Sequence, residues 1–407
     1  MRVVVNQLVA LGRKTGIGHY TNQLLRGLFA QADSDEIVPF PSGIVRRAYQ
    51  AASRTRRRLT GDDRRARFAS SRAERGASLL NWTFEHVRWG THAALGRYFR
   101  AVCTPQQFQI YHETNVIPFA TDLPAISSVH DLSAILHPEW HPRYRVAHYE
   151  QLFRRRLKST AHVLVLSDFI RDQLIRQFHV PPERVTRTYC GVRPGLMPIP
   201  EDEVQMILRR LGLPRRFLLY VGTIEPRKNV MMLLRAYVGL PSSIRSQWPL
   251  LLVGTWGWNS TDVAEYLHTE ARHRGVIHVG YVQERHLPAL YGGARALLFP
   301  SHYEGFGLPP IEMMACGGAV FASTAGAIVE TVGRKAHLIH ANDEAGWRDA
   351  MGRVVQDDDW WRSLRQGARN VARKYTWASC AAETLAVYRH VAGATNELDL
   401  RPRRAAG

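Results

Sequence analysis

Short apolar runs alternate with longer amphipathic stretches along almost the whole chain. In the first half, Val3 to Val9, Ala125 to Val129, Val163 to Leu166 and Val185 to Tyr189 have the length and β-branched content of buried strands. Phe217 to Val221, Leu250 to Val253, Ile277 to Val279, Ala296 to Phe299, Val320 to Ala322 and Leu338 to Ile339 continue the series. Between them apolar residues return at helical spacing, as Tyr20, Leu24, Leu25 and Leu28 do, and Ser167 with Asp168 can cap a helix over Phe169 to Phe178. Leu79 to Val102 and Val230 to Val238 also read as helices, Asp343 can start another, and helices around Trp360 to Tyr375 and Trp377 to Val391 close the series. Strand, turn and helix in this repetition predict an α/β chain with parallel sheets covered on both faces.

A chain of 407 residues exceeds what one core usually serves, so two domains are expected. The stretch Cys190 to Pro200, with three prolines and two glycines, marks the boundary. This places a first domain over 1–190, a linker over 191–203 and a second domain over 204–376. A terminal helix over 377–395 is expected to pack back towards the first domain, and 396–407 form a charged tail.

Charge changes the picture in one place. The chain carries 54 basic against 35 acidic residues, a formal charge of +19, and eleven of its arginines fall between Arg46 and Arg75. That segment is poor in large apolar groups and reads as a mobile or weakly helical excursion suited to an anionic membrane surface. It lacks the interleaved aromatics that stack on bases, which places nucleic acid last among partners. No apolar run is long enough to span a bilayer and the N-terminus does not read as a signal peptide, so membrane contact is expected to be peripheral. Cys103, Cys190, Cys316 and Cys380 are widely scattered and lack metal-ligand spacing, which fits reduced thiols in the cytoplasm.

Candidate chemistry concentrates at strand-to-helix turns, where α/β sheets gather ligand contacts. The sequence EGFGLPPIEMMACG places Glu304 and Glu312 around Gly305, Phe306, Gly307 and Leu308, with Pro309 and Pro310 opening a helix. Free amides and the positive end of the helix dipole suit a phosphate, while carboxylates accept hydrogen bonds from sugar hydroxyls. In GTIEPRKN, Arg227 and Lys228 are adjacent cations able to grip a diphosphate. His130 and Asp131 follow the strand Ala125 to Val129 directly, and the polar end of Gln109 to Asn115 adds His112 and Asn115. Gly16 and Gly18 lie where the first strand passes to its helix.

Taken in order, TGIGHY, VHDLS, GTIEPRKN and EGFGLPPIEMMACG resemble the retaining glycosyltransferase family 4 over nearly the whole chain outside the Arg-rich insert. The resemblance implies the GT-B fold, two Rossmann-like domains whose parallel sheets face an interdomain cleft. It implies that Arg227 and Lys228 neutralise a departing nucleoside diphosphate and that Glu304 holds sugar hydroxyls. It further implies that Thr223 and Gly305 to Leu308 contact the donor, Glu312 holds the ribose and Val282 meets the base. Gly16 and Gly18 would pack against the diphosphate, and His130 would face the transferred sugar. The acceptor would meet His112, Asn115 and Asp131. Enzymes of this family normally work without a bound metal, so no cofactor is expected. The family often has Pro-Glu where this chain reads Ala327-Ile-Val-Glu330, which leaves Glu330 without an assigned role.

GTIEPRKN and the GTWGW segment look most like bacterial mannosyl- or rhamnosyltransferases that build surface polysaccharides on a lipid carrier. The leading expectation is therefore hexose transfer from GDP-mannose to a lipid-linked saccharide at the cytoplasmic face of the inner membrane. Rhamnosyl or glucosyl transfer from a dTDP- or UDP-sugar remains an alternative, as does a catalytically inactive nucleotide-sugar-binding partner protein. Neutralising Arg56, Arg57 and Arg58 together is expected to weaken cosedimentation with anionic liposomes; sedimentation equal to the parent's rejects membrane docking by this segment.

Overall fold

The computed structural model describes residues 1–11, 16–60 and 93–399. The first sheet takes β1 (Arg2–Asn6), β2 (Glu36–Phe40), β3 (Ile110–Glu113), β4 (Ala125–Val129), β5 (His162–Val165) and β6 (Val185–Arg187) in the order β2-β1-β3-β4-β5-β6, all parallel. Its helices are α1 (Gly16–Gln31), α2 (Gly43–Thr60), α3 (residues 93–102), α4 (Ser133–Leu136), α5 (Arg143–Ser159) and α6 (Asp168–Phe178). The second sheet runs β12-β11-β10-β7-β8-β9 and is also parallel, with β7 (Leu218–Val221), β8 (Leu250–Val253), β9 (Val276–Gly280), β10 (Leu297–Phe299), β11 (Val320–Ser323) and β12 (His337–Ile339). Around it lie α7 (Glu201–Arg210), α8 (Val230–Val238), α9 (Ser242–Gln247), α10 (Thr261–Thr269), α11 (Leu287–Gly293), α12 (Leu308–Ala315) and α13 (Ile328–Val332). The last helices are α14 (Glu344–Gln356), α15 (Asp358–Arg365), α16 (Ala368–Ala372) and α17 (Trp377–Asp399).

The apolar runs predicted as strands are buried on both faces, which is what a parallel sheet between helix layers requires. Each sheet has a core on either side; on the second, Leu218, Tyr220, Leu250 and Leu252 face one helix layer while Leu219, Leu251 and Val253 face the other. The last helix, α17, leaves the second domain and lies on α1, adding Cys380, Ala381, Leu385 and Tyr388 to the core of the first. Gly27 permits this crossing: a Cβ there would stand 2.8 Å from the Ala381 Cβ.

Three expectations are corrected. The first strand stops at Asn6 rather than Val9, because the Asn6 Oδ1 accepts from the Leu8 amide and turns the chain into a short 3-10 segment at Leu8–Ala10. The Arg-rich excursion begins as a regular helix, α2, whose Arg, Ala and Gln content favours that state; positions 61–75 lie outside the described residues, as do 79–92 of the predicted Leu79 to Val102 helix and 400–407 of the tail. The linker ends at Pro200 rather than 203, since Glu201, Asp202 and Glu203 form the first turn of α7, where carboxylates meet the positive end of the dipole. Among the described residues no helix is long and apolar enough to cross a membrane, and all four cysteines are buried and free.

At the tip of β3, burial pushes the Glu113 carboxyl up to about 7, although Tyr111, Asn6 and the Asn115 amide all donate to it. The folded state therefore holds a proton that the unfolded chain releases near 4.5. The stability this contributes is complete below that value and is lost as pH rises through about 7. The neighbouring His112, held neutral by burial with its pKa down to about 3, contributes in the opposite sense, losing stability as pH falls below 6.5. Glu113→Gln is accordingly expected to raise Tm relative to the parent more at pH 8 than at pH 5; a pH-independent difference in Tm would show that Glu113 is not protonated in the fold.

Candidate active site

The carboxyl ends of both sheets face one cavity of about 1900 Å³ between the domains. From the second domain, the chain leaving β7 makes one 3-10 turn at Pro226–Lys228 and then a left-handed residue, Asn229. The Asn229 side chain donates to Pro300 O and Ala341 O, which pins that turn against the loop after β10. The pinning brings Arg227 and Lys228 onto Glu304. Arg227 donates to Glu304 Oε2 at 2.9 Å, to Tyr303 O at 2.8 Å and to Glu225 Oε1 at 2.8 Å. Lys228 donates to Glu304 Oε1.

The electrostatics follow from this cluster. Burial raises the cost of charging Glu304, but Lys228 and Arg227 outweigh it and hold the carboxyl below the usual carboxylate range. Arg227 is likewise desolvated, yet Glu304 and Glu225 keep it charged more firmly than an exposed arginine. Asp131 is half-buried; the Arg227 charge, with hydrogen bonds from the Ser133 amide at 3.0 Å and hydroxyl at 2.7 Å, keeps it ionised.

The loop after β10 carries Gly305, Phe306 and Gly307 to the N-terminus of α12, where Leu308, Pro309 and Pro310 form the first turn. Gly307 turns the chain with φ of +92°, a conformation that other residues strongly resist. Gly305 is required for a different reason. A Cβ there would stand 1.7 Å from the His130 carbonyl oxygen, so the two domains touch backbone to backbone at this point. Ser167 of the first domain closes the contact, its hydroxyl donating to Gly305 O at 2.8 Å. Nearby, Glu330 accepts from the amides of Asp168 and Phe169 at 2.8 and 3.1 Å and from the Tyr189 hydroxyl at 2.9 Å. A carboxylate from the second domain thus caps the N-terminus of α6 in the first.

From the first domain, His130 projects at the tip of β4 with its Nε2 hydrogen donated to Thr114 O at 2.7 Å. That bond fixes the neutral tautomer and leaves Nδ1 as the acceptor; burial lowers the pKa, so the ring stays uncharged. At the outer end of the cavity, Arg145 lies 4.9 Å over the Trp258 ring, and Trp258 Nε1 donates to Trp140 O across the domain boundary at 2.8 Å.

Of the residues singled out in the sequence, Gly16, His130, Asp131, Thr223, Arg227, Lys228, Val282, Glu304, Gly305, Phe306, Gly307 and Leu308 all line this cavity. Four do not. Glu312 is fully buried on the inner side of α12, where Tyr291 donates to it at 2.8 Å and Arg193 pairs with it at 3.0 Å. His112 is sealed between the Tyr388 hydroxyl of α17 and the Ser128 hydroxyl. Asn115 is tied by its amide to Glu113, and Gly18 packs on Val9, whose oxygen would stand 2.6 Å from an added Cβ. Arg193, Arg145 and Trp258 enter the cavity wall unannounced. Arg193 sits in the Pro- and Gly-rich linker, and only the buried carboxylate opposite it gives it a role. Among the described residues no group of three or more His, Cys, Asp or Glu could hold a metal ion.

Comparison with known proteins agrees with this geometry. Residues 16–196 match the model of Glycosyltransferase Family 4, and residues 209–374 match that of Glycosyl transferases group 1. Two parallel-sheet domains around such a cleft define a GT-B glycosyltransferase, and solved structures share the fold. One is HepE from Anabaena in complex with UDP and glucose, at 17% identity and a TM-score of 0.67 over 95% of this chain and all of that one. Another is WaaG, a glycosyltransferase involved in lipopolysaccharide biosynthesis, at 16% identity and a TM-score of 0.62 over 94% of this chain and 98% of that one. The chain belongs to glycosyltransferase family 4. Among its relatives, O-antigen chain mannosyltransferase B of Escherichia coli is 33% identical over 282 residues, 69% of this chain and 74% of the relative. The serotype-specific mannosyltransferase WbdA of Escherichia coli is 25% identical over 300 residues, which cover 69% of this chain but only 35% of that longer protein. D-inositol 3-phosphate glycosyltransferase of Thermobispora bispora is 32% identical over 228 residues, 53% of each chain.

Because Gly305 meets His130 with no room for a side chain, Gly305→Ala is expected to hold the domains apart. The radius of gyration in solution scattering should increase relative to the parent; an unchanged value would show that the contact is dispensable for closure.

Proposed function

We propose that this glycosyltransferase moves a hexose, with retention of configuration, from a nucleoside diphosphate sugar to a hydroxyl of a lipid-linked saccharide in polysaccharide synthesis. The observation that carries the reading is the clamp of Arg227 and Lys228 on Glu304, set in the cavity beside the N-terminal turn of α12. Breaking the bond between the anomeric carbon and the diphosphate oxygen leaves negative charge on the diphosphate. Fixed cations and free amides aimed at that charge favour the transition state over the ground state. We assign the stabilisation of this charge to Arg227, Lys228 and the amides of Gly305 to Leu308, and name no metal in the reaction. The acceptor oxygen forms its bond to the anomeric carbon on the face the diphosphate leaves, and its proton passes to the departing phosphate oxygen.

The other roles follow from placement. Glu304 orients both cations and takes sugar hydroxyls with what remains of its hydrogen-bonding capacity. His130 offers the Nδ1 lone pair to a hydroxyl of the transferred sugar, and Asp131 lies on the acceptor side. Gly16 and Thr223 border the diphosphate, and Val282 borders the base. Glu312 acts on the ribose through Arg193, which stands between it and the cavity.

Mannose from GDP-mannose is the preferred donor, a reading supported by the two mannosyltransferase relatives. One observation favours a second reading: the fold neighbour HepE is bound to UDP-glucose in one of its structures, which keeps UDP-sugars in view. We place the enzyme at the cytoplasmic face of the inner membrane, where α2, with Arg46, Arg47 and a strongly exposed Ile44, meets anionic lipid.

The test is a thermal-shift screen with GDP-, UDP- and dTDP-sugars followed by turnover on the donor selected. Lys228→Ala and Glu304→Ala are each expected to lower turnover by about 10² or more, the scale of losing one preorganised electrostatic contact. Parent-like rates in either variant would remove that residue from the reaction, and stabilisation by no nucleotide sugar would sink the reading as a whole.

A further inference from the structure

A second cavity, of about 530 Å³, opens at the far end of α12 from the cleft. Its walls are Pro198 of the linker, Cys316 and Gly317 after α12, and residues of the run Arg362 to Arg373, which spans the last turn of α15 and all of α16. Spanning eight residues, α12 separates the two cavities by about 12 Å of helix.

The lining is chemically one-sided. Arg362, Arg365, Arg369 and Arg373 line it with Gln366 and Asn370, and no carboxylate does. Arg362 and Arg365, three apart on α15, share one helix side, and Arg369 on α16 with Arg373 at its C-terminal cap, four apart, share another; the break at Gln366 and Gly367 brings the two pairs to one cavity. Two of the four are already engaged: Arg362 pairs with Asp359 at 2.6 Å, and Arg365 donates to Gly317 O at 2.8 Å while lying 4.3 Å over the Trp361 ring. Arg369 and Arg373 have no side-chain hydrogen bond or ion pair among the described residues. Elsewhere on this domain, Arg274 pairs with Glu270 and Arg353 with Asp357. A further cation stands close by, for Lys335 Nζ would lie 3.6 Å from a Cβ on Gly367.

Four like charges gathered with only Asp359 paired among them repel, and an anion in their midst relieves the repulsion. The guanidinium forks suit phosphate oxygens, and the side-chain amides of Gln366 and Asn370 supply neutral donors. We propose that this cavity is a second anion site, separate from the cleft, that takes a ligand bearing two or more phosphate groups. It lies beside the place where the chain passes between domains, since Pro198 belongs to the linker and Val192 of that linker bonds Tyr375 O at 3.0 Å. A bound ligand would join the linker to the segment that leads into α17.

The test is calorimetric titration of the full chain with inorganic tripolyphosphate. The parent is expected to bind at two sites, the cleft and this cavity. The double variant Arg369→Ala with Arg373→Ala is expected to lose one of them, while Lys228→Ala keeps the site that the double variant lacks. A double variant that titrates as the parent does, or a Lys228→Ala chain that no longer binds at all, overturns the proposal. A second arm identifies the source of the phosphate. Weaker cosedimentation of the double variant with vesicles containing cardiolipin, whose headgroup carries two phosphates, assigns a lipid headgroup, whereas unchanged cosedimentation beside the lost calorimetric site assigns a free phosphate compound. The proposed donor reaction can fail without touching this outcome, because Arg369 and Arg373 lie outside the cleft.

Discussion

Glu304 binds two cations at once, and the architecture of the cleft follows from the need to keep that arrangement buried and intact. An unpaired charge inside a protein costs several kcal/mol, so none of these three side chains is tolerable there alone. Arg227 needs Glu304 and Glu225, Glu304 needs Arg227 and Lys228, and Asp131 in the opposite domain is held ionised by the same guanidinium. The cluster therefore sits as a preformed field at the bottom of the cleft. In the proposed reaction an incoming diphosphate would add negative charge where the cations are already oriented, leaving little reorganisation for the moment of reaction.

The same cluster explains why the domains meet as they do. Tyr303, whose carbonyl takes one Arg227 hydrogen bond, sends its side chain into the core of the first domain beside Val129, Leu132 and Ile170. Gly305, two residues on, lies against His130, and Phe306 packs into the other core of that domain. The loop whose backbone holds Arg227 is thus clamped by its own side chains to the opposite wall. Glu330 adds a cap on α6, a role that no comparison of motifs would have assigned to it.

The parallel α/β architecture was legible because each strand is buried on both faces and so reads as a continuous apolar run, and because Gly, Pro and Ser mark where the turns fall. Val230–Val238, Ala125–Val129 and Leu250–Val253 emerged with their bounds intact for that reason. Boundaries set by a side chain's private hydrogen bond were not legible, as Asn6 shows by ending β1 early. For the site, motifs place residues near the cleft, whereas only packing decides which way a side chain faces. Glu312 lies three positions from the cavity residue Pro309, and His112 sits on the strand beside β4, whose tip carries His130, yet both point inward, to Tyr291 and Arg193 in one case and to Tyr388 and Ser128 in the other. Tyr388 is 276 positions away from His112, a distance across which no local pattern speaks.

That pairing has a consequence for how the protein comes into being. The core between α1 and β3 is completed by Trp377, Cys380, Ala381, Leu385 and Tyr388, all near the end of the chain. During synthesis, which runs from the N-terminus, the first domain emerges with one face of α1 uncovered and stays so while the whole second domain is made. The domain translated first is thus the last to finish its core, and a nascent chain released before Trp377 presents bare apolar surface to the chaperones.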